Sequence, residues 1–79
     1  MGEANTATSN KLGKDFVGEG AEWGKSGKAL VSKDGLRQYR PPTSKPNSPY
    51  AATGKQANFE SRHKPSGKWQ NNGHLDIND

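Results

Sequence analysis

His74 and Asp76 stand two residues apart in the run NNGHLDI, and Glu60 and Arg62 repeat that spacing in NFESR. In an extended chain, positions i and i+2 point to one face. Each segment would then carry two ionisable side chains on one side, with Phe59, Leu75 and Ile77 turned to the other. If the two segments pair as antiparallel strands, a base, an acid and a cation meet on a single sheet surface. Cleaving RNA without a metal needs that set: a base for the 2′-hydroxyl proton, an acid for the leaving 5′-oxygen, and a cation to offset charge growing on the phosphorane. His74, Glu60 and Asp76 are the candidates for catalysis. Arg37, Arg40, Arg62 and Lys68 are the candidates for holding the substrate's phosphates. His63 lies beside Lys64 and Pro65, where a strand should end, and reads as an exposed loop histidine.

Other chemistries find less support. Joining His63 and His74 with Glu60 or Asp76 gives the spacing of no established zinc motif, so no metal and no cofactor is expected. The chain has no GxSxG, no GxxxxGKS/T and no HxE with PCxxC, which removes the usual support for serine hydrolase, nucleotide triphosphatase and zinc deaminase readings. With no cysteine, neither disulfides nor a thiolate nucleophile is available.

The elements that would position these residues can be read from alternation and turn residues. Lys33-Asp34-Gly35 between two apolar-bearing runs signals a hairpin, with strands at about 28–32 and 36–40. In the second strand Leu36, Gln38 and Arg40 share one face, and Arg37 and Tyr39 the other. The segment PPTSKPNSPYAATGK holds four of the five prolines and reads as a surface loop, because proline cannot donate to a central ladder. QANFESRH resumes alternation, with Ala57, Phe59 and Ser61 opposite Asn58, Glu60 and Arg62. Pro65-Ser66-Gly67 turns the chain into a last strand running from Lys68 through Ile77. Residues 1–27 are small, polar and glycine-rich, and read as a flexible N-terminal arm or linker. The expected fold is mainly β or small α+β: a compact antiparallel sheet of three to five strands over residues 28–79, with little or no helix. Its core would be Leu30, Leu36, Tyr39, Phe59, Trp69, Leu75 and Ile77.

Composition limits how large that core can be. Only 27% of the 79 residues are hydrophobic, close to the composition at which too little apolar area opposes the entropy of ordering. The apolar runs are never longer than three residues, so no membrane span is expected. Charge is uneven: residues 1–24 carry 2 − 4 = −2, residues 25–69 carry 10 − 2 = +8, and the last ten add two aspartates, giving +4 overall. A middle segment this basic points to a polyanionic partner such as nucleic acid. Binding to a membrane surface would call for an amphipathic helix with cationic and apolar sides, and no window has that pattern.

The blocks DGLRQYRPP, ANFE and NGHLDI, within a stretch covering roughly residues 14 to 77, resemble C-terminal toxin domains of bacterial polymorphic toxins. These sit at the ends of large contact-dependent inhibition, hemagglutinin-like or Rhs-type proteins. The resemblance implies a tip carried by a larger secreted or cell-surface protein, delivered to act in the cytoplasm of a target bacterium and neutralised in the producer by a cognate immunity protein. Many such tips are nucleases. Together with the basic middle segment, this makes a metal-independent ribonuclease acting on tRNA or rRNA the leading expectation, and an acidic immunity protein the expected partner. A basic module that inhibits by binding nucleic acid or protein, and a metal-dependent DNase, stand as alternatives. Arg37, Arg40, Glu60, His74 and Asp76 fall within the matching blocks.

Overall fold

A computed structural model describes residues 3–25, 27–44 and 55–78. It is a small α+β fold: one helix packed on one face of an open sheet. Strands β1 (Glu3–Ala4), β2 (Glu22–Trp23), β3 (Leu30–Val31), β4 (Arg37–Ser44), β5 (Lys55–Ser61) and β6 (Asn71–Ile77), with helix α1 (Thr6–Val17) between the first two, make up the described elements. The sheet order is β1-β6-β5-β4-β3-β2. From β2 to β6 each strand is antiparallel to its neighbour, and the short β1 closes the far edge parallel to β6.

Part of the N-terminal segment expected as a flexible arm is instead this helix. Its signals are local. Asn5 caps the start, its Oδ1 accepting from the Thr8 N–H at 2.7 Å, and Gly18 ends it at φ +79° with its N–H on the Lys14 carbonyl at 2.9 Å. The buried stripe is Ser9, Gly13 and Val17, spaced by four along one side. Two of the three have little or no side chain, so the helix settles close upon the sheet. A Cβ at Gly13 would overlap the ring of Tyr39. Phe16 then meets Phe59 edge to face, with ring centres 5.5 Å apart.

The Asp-Gly turn forms between β3 and β4, with Gly35 at φ +74°. Asp34 Oδ1 accepts from the Ser32 hydroxyl at 2.6 Å and from the Leu36 N–H at 2.9 Å, and these bonds lower the Asp34 pKa below its usual value. Strand β4 continues through Pro41 and Pro42, which the sequence reading assigns to a loop. Two features admit them: the register with β5 shifts between Arg40 and Thr43, and β3 pairs only with Gln38 and Tyr39, so beyond Arg40 one side of β4 needs no N–H. The rest of the proline-rich segment, residues 45–54, lies outside the described residues.

The core consists of Val17, Tyr39, Ala57, Phe59, Leu75 and Ile77, with Leu30 and Phe16 packed against it. Two expected core members are elsewhere. Leu36 is half-buried before β4, and Trp69 lies under the Arg62 guanidinium, 3.9 Å from its ring centre.

Candidate active site

The face of the sheet turned away from α1 is polar. Register places three rows across β4, β5 and β6: Gln38–Glu60–Asn72, Arg40–Asn58–His74, and Thr43–Gln56–Asp76. On β5 and β6 the rows follow from period-2 alternation, with Gln56, Asn58 and Glu60 on one side of β5 and Ala57 and Phe59 on the other, and on β4 the register shift after Arg40 brings Thr43 to the same face. The centre of this face is buried. Gln38, Gln56, Asn58 and Glu60 are all less than 9% exposed.

Buried polar groups need partners. Glu60 Oε1 accepts from Arg40 Nε at 2.7 Å and from Gln38 Nε2 at 2.9 Å, which ties the first two rows together. The carboxylate is covered, whereas the Arg40 side chain is 48% exposed. One end of that guanidinium is therefore anchored and the other is open to a ligand. Asn58 Nδ2 lies 3.1 Å from Asn72 Oδ1 and 3.1 Å from His74 Nδ1. An amide nitrogen can only donate, so Nδ1 of the neutral ring accepts and the ring proton sits on Nε2. In this form His74 presents a donor, and taking up a second proton at Nδ1 requires the Asn58 amide to turn its oxygen inward. Asp76 Oδ1 is buried with no hydrogen-bond partner.

The structure thus brings together Arg40, Glu60, His74 and Asp76 of the residues singled out from the sequence. It places the others apart. Arg37 is on the helix side of the sheet, its guanidinium 5.9 Å from the centre of the Phe16 ring. Arg62 is a structural clamp: Nε donates to the Gly35 carbonyl at 2.8 Å and Nη1 to the Gly67 carbonyl at 2.9 Å, while the plane stacks on Trp69. Two of its three guanidinium nitrogens are thereby committed to backbone carbonyls. Lys68 and His63 are exposed in the β5–β6 connection. Among the described residues no group of three or more His, Asp or Glu side chains converges as a metal site would, and no helix is long and apolar enough to cross a membrane.

Gln38 and Asn58 are not among the residues singled out from the sequence, although each lies two residues from one that is. That spacing was the available signal. A second omission is a cleft of about 480 Å³ bordered by Trp23, Lys28, Arg40, Pro41, Thr43 and Asn58, which adjoins the middle row. Its residues come from three distant stretches, so no local pattern announces it. Comparison of the chain with protein-family models, curated proteins and solved structures finds no match.

Proposed function

We propose that this chain is a ribonuclease domain that cleaves RNA without a metal ion, and that it serves as the toxin tip of a contact-dependent or polymorphic toxin. The observation that carries the catalytic part is the adjacency of Glu60, Arg40 and His74 on one sheet face. Glu60 and His74 are diagonal neighbours on paired strands, a separation of roughly 7–8 Å between backbones that leaves room for a phosphodiester. Glu60 takes the 2′-hydroxyl proton through Oε2, since both of its hydrogen bonds fall on Oε1. The 2′-oxygen attacks phosphorus, and Arg40 offsets the charge on the phosphorane. His74, protonated at Nδ1 once the Asn58 amide has turned its oxygen toward the ring, gives its Nε2 proton to the departing 5′-oxygen, leaving a 2′,3′-cyclic phosphate. The toxin part rests on the sequence blocks and on the basic middle segment.

The test is incubation of the domain with total RNA and with plasmid DNA, with and without EDTA. RNA cut equally in both conditions, with cyclic phosphate ends, is the expected result. Cleavage abolished by EDTA, or of DNA alone, refutes the proposal. Burial of Glu60 favours one second reading, in which the carboxylate only holds Arg40 and the module inhibits by binding. RNA that is bound and never cut selects it.

A nuclease made beside its own substrate must be silenced, and an acidic immunity protein over the Arg40–His74 face would do so. Because Arg37 lies on the helix side, Arg40→Glu is expected to weaken that complex by about tenfold or more, with Arg37→Glu nearly neutral. Calorimetry in which Arg37→Glu is the more damaging would place the partner on the other face.

A further inference from the structure

The cleft beside Arg40 contains side chains that the cleavage chemistry leaves unused. Trp23, on edge strand β2, is 56% exposed, more than any other large apolar residue described. Leaving an indole in water forgoes the stabilisation of burying it. Register sets Trp23 in the row of Leu30 and Tyr39, and at the sheet edge it also borders a recess lined by Lys28, Pro41, Arg40 and Asn58. Its volume of about 480 Å³ lies within the range of small-ligand sites. A flat aromatic surface beside two cations suits a ligand that is itself flat and aromatic at one end and anionic at the other. A nucleotide has that form, and base-on-indole stacking accepts any base.

The recess also connects to the chemistry. Arg40 reaches Glu60 through Nε while its terminal nitrogens make no hydrogen bond among the described residues, and Asn58 lies against His74 Nδ1. We infer that this cleft is a nucleobase subsite for single-stranded RNA: one base lies against the Trp23 indole, its phosphate is held by Lys28 and Arg40, and the strand continues across Glu60 and His74. The direction of that continuation rests on the ribonuclease reading. Capture of the base does not.

The two can be separated with a 2′-O-methyl RNA hexanucleotide, which lacks the attacking hydroxyl and so reports binding alone. Trp23→Ala is expected to weaken its binding by about tenfold, the lower part of the range for one stacked base, with an unchanged melting temperature. The salt slope should stay as in the unaltered chain, because no phosphate contact is lost, whereas Lys28→Ala should make it shallower by about 0.7. Trp23→Phe should restore most of the affinity, and a hexanucleotide of abasic units should bind the unaltered chain as weakly as the normal one binds Trp23→Ala. In cleavage of unmodified RNA, Trp23→Ala should raise KM and leave kcat nearly unchanged. Affinity and KM indifferent to Trp23, in a domain that does cut RNA, overturn the subsite and leave the ribonuclease reading standing. Trp23-dependent binding of the hexanucleotide by a domain that never cuts RNA does the reverse. Failure both to bind the hexanucleotide and to cut RNA removes both.

Discussion

On the helix side of the sheet, Tyr39, Phe59, Leu75 and Ile77 are stacked beneath α1, whereas on the opposite side β4 and β5 bury Gln38, Gln56, Asn58 and Glu60. Successive residues of one strand are therefore held by different forces. The apolar side gains roughly 1.5–3 kcal/mol for each large side chain taken from water and is indifferent to pairing, so shape alone limits it. On the polar side each buried group gains only about 1 kcal/mol when paired, and costs about 1–3 kcal/mol when left unpaired. A chain with 27% hydrophobic residues has few such side chains to spare, yet it buries four large polar ones in the middle of its sheet. Such an arrangement specifies positions: it fixes Arg40 through Glu60 and His74 through Asn58.

That contrast can be broken one face at a time. His74→Ala removes a half-buried ring whose loss opens no apolar cavity, so the domain should still fold while RNA cleavage falls by about 10²–10⁴-fold. Gly13→Ala should do the opposite. A Cβ there meets the Tyr39 ring, so α1 must lift from the sheet, at an overpacking cost of about 1–3 kcal/mol that exceeds the roughly 1 kcal/mol alanine gains in a helix. Cleavage below the unfolding transition should be nearly unchanged. Urea unfolding and RNA cleavage measured on both variants give a double dissociation, and one variant failing in both assays would show that the two faces are not independent.

The two faces were also unequally legible. Alternation holds as far as Arg40 in β4 and throughout β5 and β6, so the sides holding Arg40, Glu60, His74 and Asp76 could be read from i, i+2 spacing, and the pairing of β5 with β6 followed from the turn between them. The helix escaped because the usual signal is a stripe of large apolar residues, and TATSNKLGKDFV packs through Ser9, Gly13 and Val17 instead. Its caps, Asn5 and Gly18, were present in the sequence without a periodic run to connect them. Arg62 illustrates a different limit. Alternation places it near Glu60, but its hydrogen bonds run to the carbonyls of Gly35 and Gly67, in turns on either side that only the folded chain brings together. Trp69, expected in the core, serves instead as the surface on which Arg62 lies.

The smallest expected effect is a change with pH, and it concerns the Tyr39 hydroxyl on the apolar side. Tyr39 is buried among the aromatic rings, and its hydroxyl donates to Asn10 Oδ1 at 2.8 Å. Having one proton to give, it must accept from Ser9 Oγ, 2.7 Å away. Burial disfavours the phenolate and raises the Tyr39 pKa above 10.0, opposed in part by the Ser9 hydrogen bond. A raised value means that the folded chain holds this proton more tightly than the unfolded one. The stabilisation is therefore complete below the unfolded tyrosine's pKa of about 10 and declines as pH rises from there through the folded value, with a limiting slope of about 1.4 kcal/mol per pH unit. Tyr39→Phe should lower stability by about 1–3 kcal/mol at neutral pH, because it leaves the fully buried Ser9 hydroxyl without that partner. It should also remove the alkaline decline that Tyr39 contributes. Lysines titrate in the same range, so the measurement is the difference between the two chains in urea midpoint from about pH 8 to about pH 11. That difference should narrow as pH rises. Curves that stay parallel would mean that Tyr39 titrates alike in both states, and that burial under α1 does not hold its proton.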